Sequence, residues 1–382
     1  MAACTFTEID KNRAGIAKGD TLLRSARYRE LRKTHSRSMV PEHPNTFDGR
    51  NTLLEDNRYT LTLPKDKAKP LDKGNQTAVT EFIFVGFSWL MELQALLFAI
   101  VLSMYAVSLT GNILITAIIK ANQSLHTPMY FFLTNLSLLE ICYTTSIVPK
   151  MLVSLVSENR RISLWGCATQ MYFFTLFGIT ECCLLAAMAY DRYVAICNPL
   201  RYTLVMRKGA CAQLAIASWM VGMLVGLSQT SYVFSLTYCG PNRINHFFCD
   251  IPPLLKLACG DTSMNVLAVY LVALLFITSP FMLILASYLF IIASVLRMPS
   301  AEGKHKAFST CSSHLIVVLL FYGSGIITYL RPKSSYSMES DKLLALFYTV
   351  VTSMLNPIVY SLRNKEVKEA LRRVLHGMTC PR

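Results

Sequence analysis

The sequence predicts an all-α membrane protein: a bundle of seven transmembrane helices with a short interfacial helix at the carboxyl terminus. Composition is the first observation, since 53% of the 382 residues are hydrophobic and only 16% are charged, which is not the balance of a soluble domain. Seven apolar segments then follow residue 74, each suited to crossing a hydrocarbon core that takes about 20 helical residues. Basic residues also collect in the short connectors between those segments.

The chain before residue 74 differs from the rest. Residues 1–73 are rich in Lys, Arg, Asp, Asn and Pro and hold no apolar stretch of signal-peptide length, which favours a disordered basic extension without a cleavable signal. The alternative is a functional basic patch, because Arg and Lys cluster between residues 24 and 37. We therefore expect an extension over 1–73, a membrane domain over 74–377 and a tail over 378–382.

The apolar segments cover residues 94–119, 129–153, 167–190, 212–232, 264–295, 314–329 and 343–361. Hydroxyl side chains dilute the start of the sixth, which reaches the required length if it begins near Lys306. After the seventh segment, residues 363–375 place Val367, Ala370, Leu371 and Val374 on one side of a helix. This pattern predicts a helix that lies in the membrane interface.

The connectors predict the orientation of the bundle. Those after the first, third and fifth segments, together with the carboxyl-terminal region, hold more Lys and Arg than the others, so the positive-inside rule places the amino terminus outside the cell. Asn75, in the pattern Asn-Gln-Thr, then lies on the side where N-glycosylation takes place. The formal charge of +14 is spread over connectors rather than one face, which argues for a lipid bilayer and against nucleic acid as a partner.

Two carboxylates fall inside the apolar segments. Glu140 lies eleven residues beyond the start of the second segment and Glu181 ten residues before Asp191, so both stand roughly 15 Å from the same interface at 1.5 Å per helical residue. Acids are costly in lipid, and the pair is expected to face the bundle interior and either share a proton or hold a cation. Asn112 and Asn356 reach the same layer. Alternatively, these four residues only join helices through hydrogen bonds.

Four blocks of sequence resemble the signatures of vertebrate odorant receptors. They are LHTPMYFFL at 125–133, MAYDRYVAICNPLRY at 188–202, KAFSTCSSHL at 306–315 and NPIVYSLRN at 356–364, in that family's order. The resemblance covers residues 74–377, and the extension 1–73 has no counterpart in it. It implies a rhodopsin-like G-protein-coupled receptor in the plasma membrane of olfactory cilia, activated by small, weakly polar volatile molecules and coupled to a stimulatory, olfactory-type G protein. The alternative is a receptor for a non-odorant small molecule, expressed outside the olfactory epithelium.

The resemblance also selects among cysteine pairings. Cys167 and three cysteines of the long connector after the fourth segment, Cys239, Cys249 and Cys259, lie on the outer side, where four thiols can oxidise in three ways. The resemblance implies Cys167 with Cys249, and Cys239 with Cys259. The first pair would hold the connector over the bundle as a lid.

Residues of a signalling switch are expected at Asp191, Arg192, Tyr193, Asn356, Pro357 and Tyr360. The guanidinium of Arg192 can exchange partners between Asp191 and groups that are uncovered when helices separate. Pro357 removes a backbone donor and permits a kink, which lets Tyr360 move relative to the third segment.

Positions carried over from the motifs predict a ligand cavity in the outer half of the bundle. They are Phe174, Thr175, Gly178, Ile179, Val272, Phe276, Tyr322, Gly325, Ile326, Tyr329 and Thr349. Such a cavity is apolar with a few hydroxyls and no charge at its centre, which suits a small, weakly polar ligand. The resemblance further implies a sodium site at Glu140 and Glu181, with Asp more usual at the position of Glu140, and no other cofactor.

Other functions are not favoured by the sequence. A transporter would show repeats between the halves of the chain. A retinal protein would need a lysine in the middle of the last segment, where Lys342 lies only at the outer end. An enzyme would need a nucleophile with a base beside it, and the twelve cysteines show no zinc-binding spacing. The protein is therefore predicted not to be an enzyme.

Overall fold

A computed structural model describes residues 79–87, 92–157, 159–239, 241–297, 299–330, 338–363 and 367. The chain divides into two units, Met1–Leu71 and Asp72–Arg382, and every described residue belongs to the second. The predictions for the extension 1–73, for Asn75, for the side chain of Tyr360 and for the interfacial helix beyond Arg363 lie outside the described residues.

Seven helical spans form the described part of the bundle. They are span 1, Gln94–Ala121; span 2, Pro128–Val156; span 3, Leu164–Cys197; span 4, Lys208–Phe234; span 5, Ser263–Arg297; span 6, Ala301–Leu330; and span 7, which joins Met338–Leu346, Phe347–Val351 and Thr352–Arg363. Spans 1 to 5 and span 7 are each long and apolar enough to cross a membrane, and span 6 has a shorter apolar part, His314–Leu330. The predicted seven-helix membrane fold is confirmed.

Spans 3 and 6 are longer than their apolar patterns. The pattern of the third segment ends at residue 190, but span 3 continues to Cys197. Likewise span 6 begins at Ala301, well before the apolar part that starts at His314. Hydropathy marks where a helix leaves an apolar environment, whereas the backbone hydrogen bonds that define the helix continue beyond that point.

Span 3 is the centre of the bundle. It packs against spans 2, 4 and 5, while span 7 packs against spans 1 and 6. Of its most apolar stretch, 72% of the residues are buried, against 11% for span 5, the lowest share among the six long apolar spans of the described structure. Span 4 approaches closely because Gly222 and Gly226 face span 3: a Cβ at Gly222 would lie 2.6 Å from the Leu176 carbonyl oxygen. Small residues of this spacing let membrane helices pack backbone to backbone.

Two π-helical turns, which were not predicted, interrupt the spans. Leu274–Thr278 lies within span 5 and Phe347–Val351 within span 7. Each turn adds about one residue to the α-helical repeat, so the side chains that follow are rotated by about 100° relative to a continuous α-helix.

A small sheet, which was also not predicted, covers one end of the bundle. Strand β1, Glu81–Phe84, pairs antiparallel with β2, Arg161–Ser163, and parallel with β3, Arg243–Ile244. Phe82 and Phe84 are almost fully buried beneath this sheet. We call the three strands and the connector 235–262 the lid, and this end of the bundle the lid end.

Two disulfides complete the lid. Cys167 is bonded to Cys249, with 5.5 Å between their Cα atoms, and Cys239 to Cys259, with 5.8 Å. The first joins the start of span 3 to the connector, and both pairs are those that the resemblance implies. Short helical pieces lie in the connectors: Gln123–Leu125, Pro199–Arg201 and Tyr202–Val205 away from the lid, and Ile251–Leu255 within it.

Candidate functional site

A cavity of about 720 Å³, counted with its opening, lies beneath the lid between spans 2 to 7. Its wall consists of Tyr143, Phe174, Thr175, Gly178, Ile179, Cys182, Gln229, Ile251, Val269, Val272, Ala273, Ile277, Phe321, Gly325, Tyr329 and Tyr348. Aromatic and aliphatic side chains dominate this wall, and none of these residues is charged. An apolar wall with few polar groups is typical of small-molecule sites.

Seven of the eleven residues predicted for ligand contact line this cavity: Phe174, Thr175, Gly178, Ile179, Val272, Gly325 and Tyr329. The other four, Phe276, Tyr322, Ile326 and Thr349, do not. The hydroxyl of Tyr322 is buried and donates to the carbonyl oxygen of Cys182 at 2.7 Å. That of Thr349 is buried and donates to the Ala345 carbonyl oxygen at 2.7 Å. Ligand contact itself stays a prediction.

Two of the wall residues that differ from the prediction, Ile277 in span 5 and Tyr348 in span 7, lie within the π turns. An α-helical repeat leads from Val272 to Phe276, whereas the wall of the cavity contains Val272 and Ile277, which are five residues apart. In span 7 the wall contains Tyr348 in place of Thr349, within the turn Phe347–Val351. Apolar residues fit a π turn as well as an α turn, so the sequence carried no signal for this shift.

The lid brings a buried carboxylate into contact with two tyrosines of the cavity wall. Asp250 is only 3% exposed and accepts hydrogen bonds from the hydroxyls of Tyr329 at 3.3 Å and Tyr348 at 3.5 Å, as well as from the backbone N–H of Ile251 at 2.7 Å. Burial raises the pKa of Asp250 to about 6, although these hydrogen bonds act in the opposite direction. The sequence analysis did not single out Asp250, which lies in the connector rather than in a span. Its neighbour Cys249 is bonded to Cys167 at the start of span 3, and this disulfide holds Asp250 at the bundle.

A wider cavity, which we call the vestibule, lies on the lid side of Asp250. Its wall includes Arg243, His246, Asp250, Lys256, Asp341 and Tyr270, and it shares Val269, Tyr329 and Tyr348 with the first cavity. Burial lowers the pKa of His246 to about 3, so its imidazole is neutral at physiological pH. Asp250 and its two tyrosines therefore stand between the charged vestibule and the uncharged inner cavity.

The two predicted intramembrane acids meet below the inner cavity. Glu140 and Glu181 are 0% and 1% exposed, and their carboxyl groups lie within interaction distance of each other. Asn356 donates a hydrogen bond to Glu140 Oε1. Among the described residues, Glu140 Oε2 and Glu181 Oε1 receive no hydrogen bond. The buried pair therefore offers two free carboxylate oxygens in one layer of the bundle.

Asn112 joins spans 1 and 7 beside this pair. Its amide donates to the carbonyl oxygen of Ser108 at 2.9 Å and to that of Ser353 at 3.4 Å. The adjacent Gly111 allows the close approach, since a Cβ there would lie 2.8 Å from the Cβ of Pro357. Asn112 and Asn356 thus lie in the predicted layer, and Pro357 marks the contact between the two spans.

The switch residues lie at the end of span 3 away from the lid. The sequence names Asp191 as a partner of Arg192, whereas in the structure Asp191 is hydrogen-bonded to another residue. Asp191 accepts a hydrogen bond from the hydroxyl of Tyr202 at 2.8 Å. The neighbouring Arg192 has a buried Nη2 without a hydrogen bond in the described structure. In the same region, the hydroxyl of Tyr288 on span 5 is 2.7 Å from Nδ1 of His314 on span 6. Tyr202, Tyr288 and His314 were not singled out by the sequence analysis, because each becomes notable only through its partner.

Comparison with known proteins gives a consistent result. A family model described as "Olfactory receptor" matches residues 101–377. The chain is 59% identical to human olfactory receptor 10A4 over 303 residues, which are 79% of this chain and 96% of that protein. It is 57% identical to human olfactory receptor 10A7 over 301 residues, 79% and 95% of the two chains. It is 51% identical to mouse olfactory receptor 5AP2 over 309 residues, 81% and 98%.

Proposed function

Because the chain belongs to the olfactory receptor family of rhodopsin-like G-protein-coupled receptors, we propose that the cavity beneath the lid is where its odorant binds. The protein is a multi-pass membrane receptor for odorants that acts through a G protein, and its family is not one of enzymes. The names of its relatives favour an odorant over a non-odorant ligand.

The inner cavity is the observation that supports this site. Its wall residues from spans 2 to 7 are uncharged, and Phe174, Phe321 and Tyr143 supply large apolar surfaces. A charged metabolite would need a counter-charge on this wall, since an unpaired ion in an apolar site is strongly disfavoured. A small, weakly polar volatile molecule needs only shape and one or two hydrogen bonds.

The lid end faces the outside of the cell in this proposal. Two disulfides there fit an oxidising compartment, and the distribution of Lys and Arg among the connectors favours the same orientation. Asn75 then belongs to the outer side as a glycosylation site. The resemblance to odorant receptors supports placement in the plasma membrane of olfactory cilia and coupling to a stimulatory, olfactory-type G protein.

Span 3 connects the odorant site to the G-protein side. It carries Thr175 and Gly178 in the cavity wall, Glu181 in the acid pair and Arg192 at the far end. A change of packing at the cavity can therefore reach Arg192 along one rigid helix. The free Nη2 of Arg192 is available to take a new partner when the neighbouring helices separate.

Glu140 and Glu181 are the residues that would hold a sodium ion. Both supply oxygen atoms, which are the ligands that hard cations prefer, and one oxygen of each lacks a hydrogen bond within the described structure. A bound cation would neutralise the pair; a shared proton would serve the same purpose. The two free oxygens argue against the alternative that the four polar residues of this layer only join helices.

Filling the cavity tests the proposed site. A Cβ added at Gly178, in the wall, or at Gly323, outside it, meets no atom within 4 Å. Gly178→Leu is therefore expected to lower the potency of every agonist by about tenfold or more, and the matched control Gly323→Leu to leave it unchanged. Responses are measured with a cAMP reporter at equal surface expression. Equal responses of both variants would place the odorant elsewhere.

A further inference from the structure

We propose that the odorant carries a hydroxyl group, and that Gln229 and Thr175 bind this group inside the cavity. The inference rests on the proposed function, because it concerns the same cavity. It names the chemical class of the ligand, a neutral alcohol or phenol with an otherwise apolar body. It also assigns a specificity role to Gln229, which the motifs did not single out.

Two buried oxygen atoms carry the proposal. Thr175 is 9% exposed and Gln229 is 6% exposed, and both line the inner cavity. Within the described structure, Thr175 Oγ1 and Gln229 Oε1 have no hydrogen-bond partner. Buried polar groups in proteins are almost always hydrogen-bonded, so two unpaired oxygens on the wall of one cavity indicate a partner that belongs in the cavity.

The hydroxyl of Thr175 is the unpaired threonine hydroxyl that lines the inner cavity. Thr144, Thr180 and Thr352 donate to the carbonyl oxygen four residues earlier, whereas the hydroxyl oxygens of Thr116 and Thr230 are unpaired like that of Thr175 but lie outside the cavity wall. This local bond is the ordinary way for a helix to satisfy a hydroxyl in an apolar environment. Thr175 makes no such bond, so its hydroxyl is free to donate to a ligand.

Two further hydroxyls of the wall are already engaged at the lid. The hydroxyls of Tyr329 and Tyr348 donate to Asp250. A ligand that used these hydroxyls would have to displace a buried carboxylate from its donors, which is costly. Thr175 and Gln229 offer hydrogen bonds without that loss.

The pair of groups discriminates between classes of odorant. Gln229 Oε1 only accepts hydrogen bonds, whereas the Thr175 hydroxyl both donates and accepts. A ligand hydroxyl has both the donor that Gln229 Oε1 needs and the acceptor that the Thr175 hydroxyl needs. A ketone, aldehyde or ether only accepts and, in the amide orientation of the structure, would leave Gln229 Oε1 unpaired. A hydrocarbon would leave both atoms unpaired. Carboxylates and amines are charged, and the wall offers no counter-charge.

The experiment compares alcohols with matched compounds that cannot donate. Cells expressing the full-length receptor with a cAMP reporter are given linear, cyclic and aromatic alcohols, together with the methyl ether, the ketone or aldehyde and the hydrocarbon of the same carbon skeleton. The most potent agonists are expected to be alcohols, and each methyl ether to be about tenfold less potent than its alcohol, because one buried acceptor stays unpaired.

Variants then assign the preference to the two residues. Gln229→Met keeps the volume of the side chain but removes the acceptor, and is expected to reduce the preference for alcohol over ether from about tenfold to less than about threefold. Thr175→Val is expected to reduce this preference to the same extent. Thr175→Ser, which keeps the hydroxyl, is expected to retain it. Gln213→Met is the matched control, since Gln213 lies exposed on the same span 4. It should retain the full preference.

The outcomes separate this inference from the proposed site. Ethers or ketones as potent as the alcohols, or an undiminished preference in Gln229→Met, would overturn the hydroxyl subsite; a water molecule that permanently satisfies both oxygens would give that result. The cavity would still stand as the odorant site if Gly178→Leu abolished the responses. Unchanged responses in Gly178→Leu would instead contradict the proposed site, and this inference with it.

Discussion

Asp250, Glu140 and Glu181 carry carboxyl groups that are buried in the protein. Their surroundings decide whether each binds a proton or a cation. Asp250 lies in the lid, where burial raises its pKa from the ordinary 3.8 to about 6. The folded protein therefore holds this proton more tightly than the unfolded chain. The stability that protonated Asp250 contributes is complete below the ordinary pKa and is lost as the pH rises through about 6.

Asp250→Asn is expected to remove that pH dependence. Between about pH 4 and about pH 7 the purified wild-type receptor should lose roughly 3 kcal/mol relative to the variant, since one pKa unit corresponds to about 1.4 kcal/mol. His246 has the opposite effect, because its lowered pKa makes stability fall as the pH falls. Comparing the variant with the wild type at each pH cancels that contribution. Parallel melting temperatures for the two proteins across the range would contradict the prediction.

Glu181→Gln tests the acid pair of spans 2 and 3. If Glu140 and Glu181 hold sodium, replacing extracellular sodium by choline should change agonist potency in the wild type and not in the variant, because one of the two free oxygens is gone. Asp261→Asn, an exposed acid in the lid connector, is the control and should respond like the wild type. A sodium response that persists in Glu181→Gln would exclude the ion site and favour the shared proton.

At the scale of elements, backbone geometry decides which side chains face the cavity. Ile277 and Tyr348 line the wall where Phe276 and Thr349 were predicted, and both lie within the π turns of spans 5 and 7. Glycines decide how near the spans come to each other. Gly222 is the clearest case, since its missing Cβ leaves room for Thr180 and the Leu176 carbonyl oxygen of span 3.

Gly222→Ala is expected to separate spans 3 and 4. The added methyl would overlap backbone atoms of span 3, and overpacking of this kind costs about 2 kcal/mol. The melting temperature of the purified receptor and its surface expression should both fall. Gly209→Ala, on the same span with no atom within 4 Å of the added Cβ, should leave both unchanged or slightly raised. Equal melting temperatures and equal surface expression of the two variants would mean that spans 3 and 4 can move apart without loss of stability.

At the scale of the whole molecule, span 3 is the helix that connects the functional regions. Its 34 residues extend roughly 50 Å at 1.5 Å per residue. Along that length it passes the lid disulfide, the cavity, the acid pair and Arg192. The disulfide fixes one end of this helix to the lid, which closes a loop with a sequence separation of 82 residues.

Opening that disulfide is expected to destabilise the receptor. In the chain-entropy model a loop of this length contributes roughly 4 kcal/mol, and without the bond Asp250 would no longer be held beside Tyr329 and Tyr348. Cys249→Ser should therefore lower surface expression and weaken odorant responses. Cys142→Ser, which removes an exposed free cysteine, serves as the control. Normal expression and potency in Cys249→Ser would show that the lid holds its position without the bond.

The sequence by itself determined the seven spans, their approximate limits and the family. Hydropathy is a property of neighbouring residues, so a stretch of apolar side chains identifies a span without reference to the rest of the fold. The four signature blocks are likewise continuous in the chain. The depths of Glu140 and Glu181 followed from the fixed rise of a helix, which is why their meeting could be predicted.

Only the tertiary structure decided which residues share the cavity. Asp250 meets Tyr329 and Tyr348 across 79 and 98 residues of chain, and no local pattern reports such a contact. The unpaired oxygens of Gln229 and Thr175 can be recognised only when every neighbour is in place. The physical reason is that helix formation depends on nearby residues, whereas a binding site depends on side chains that packing brings together from distant parts of the chain.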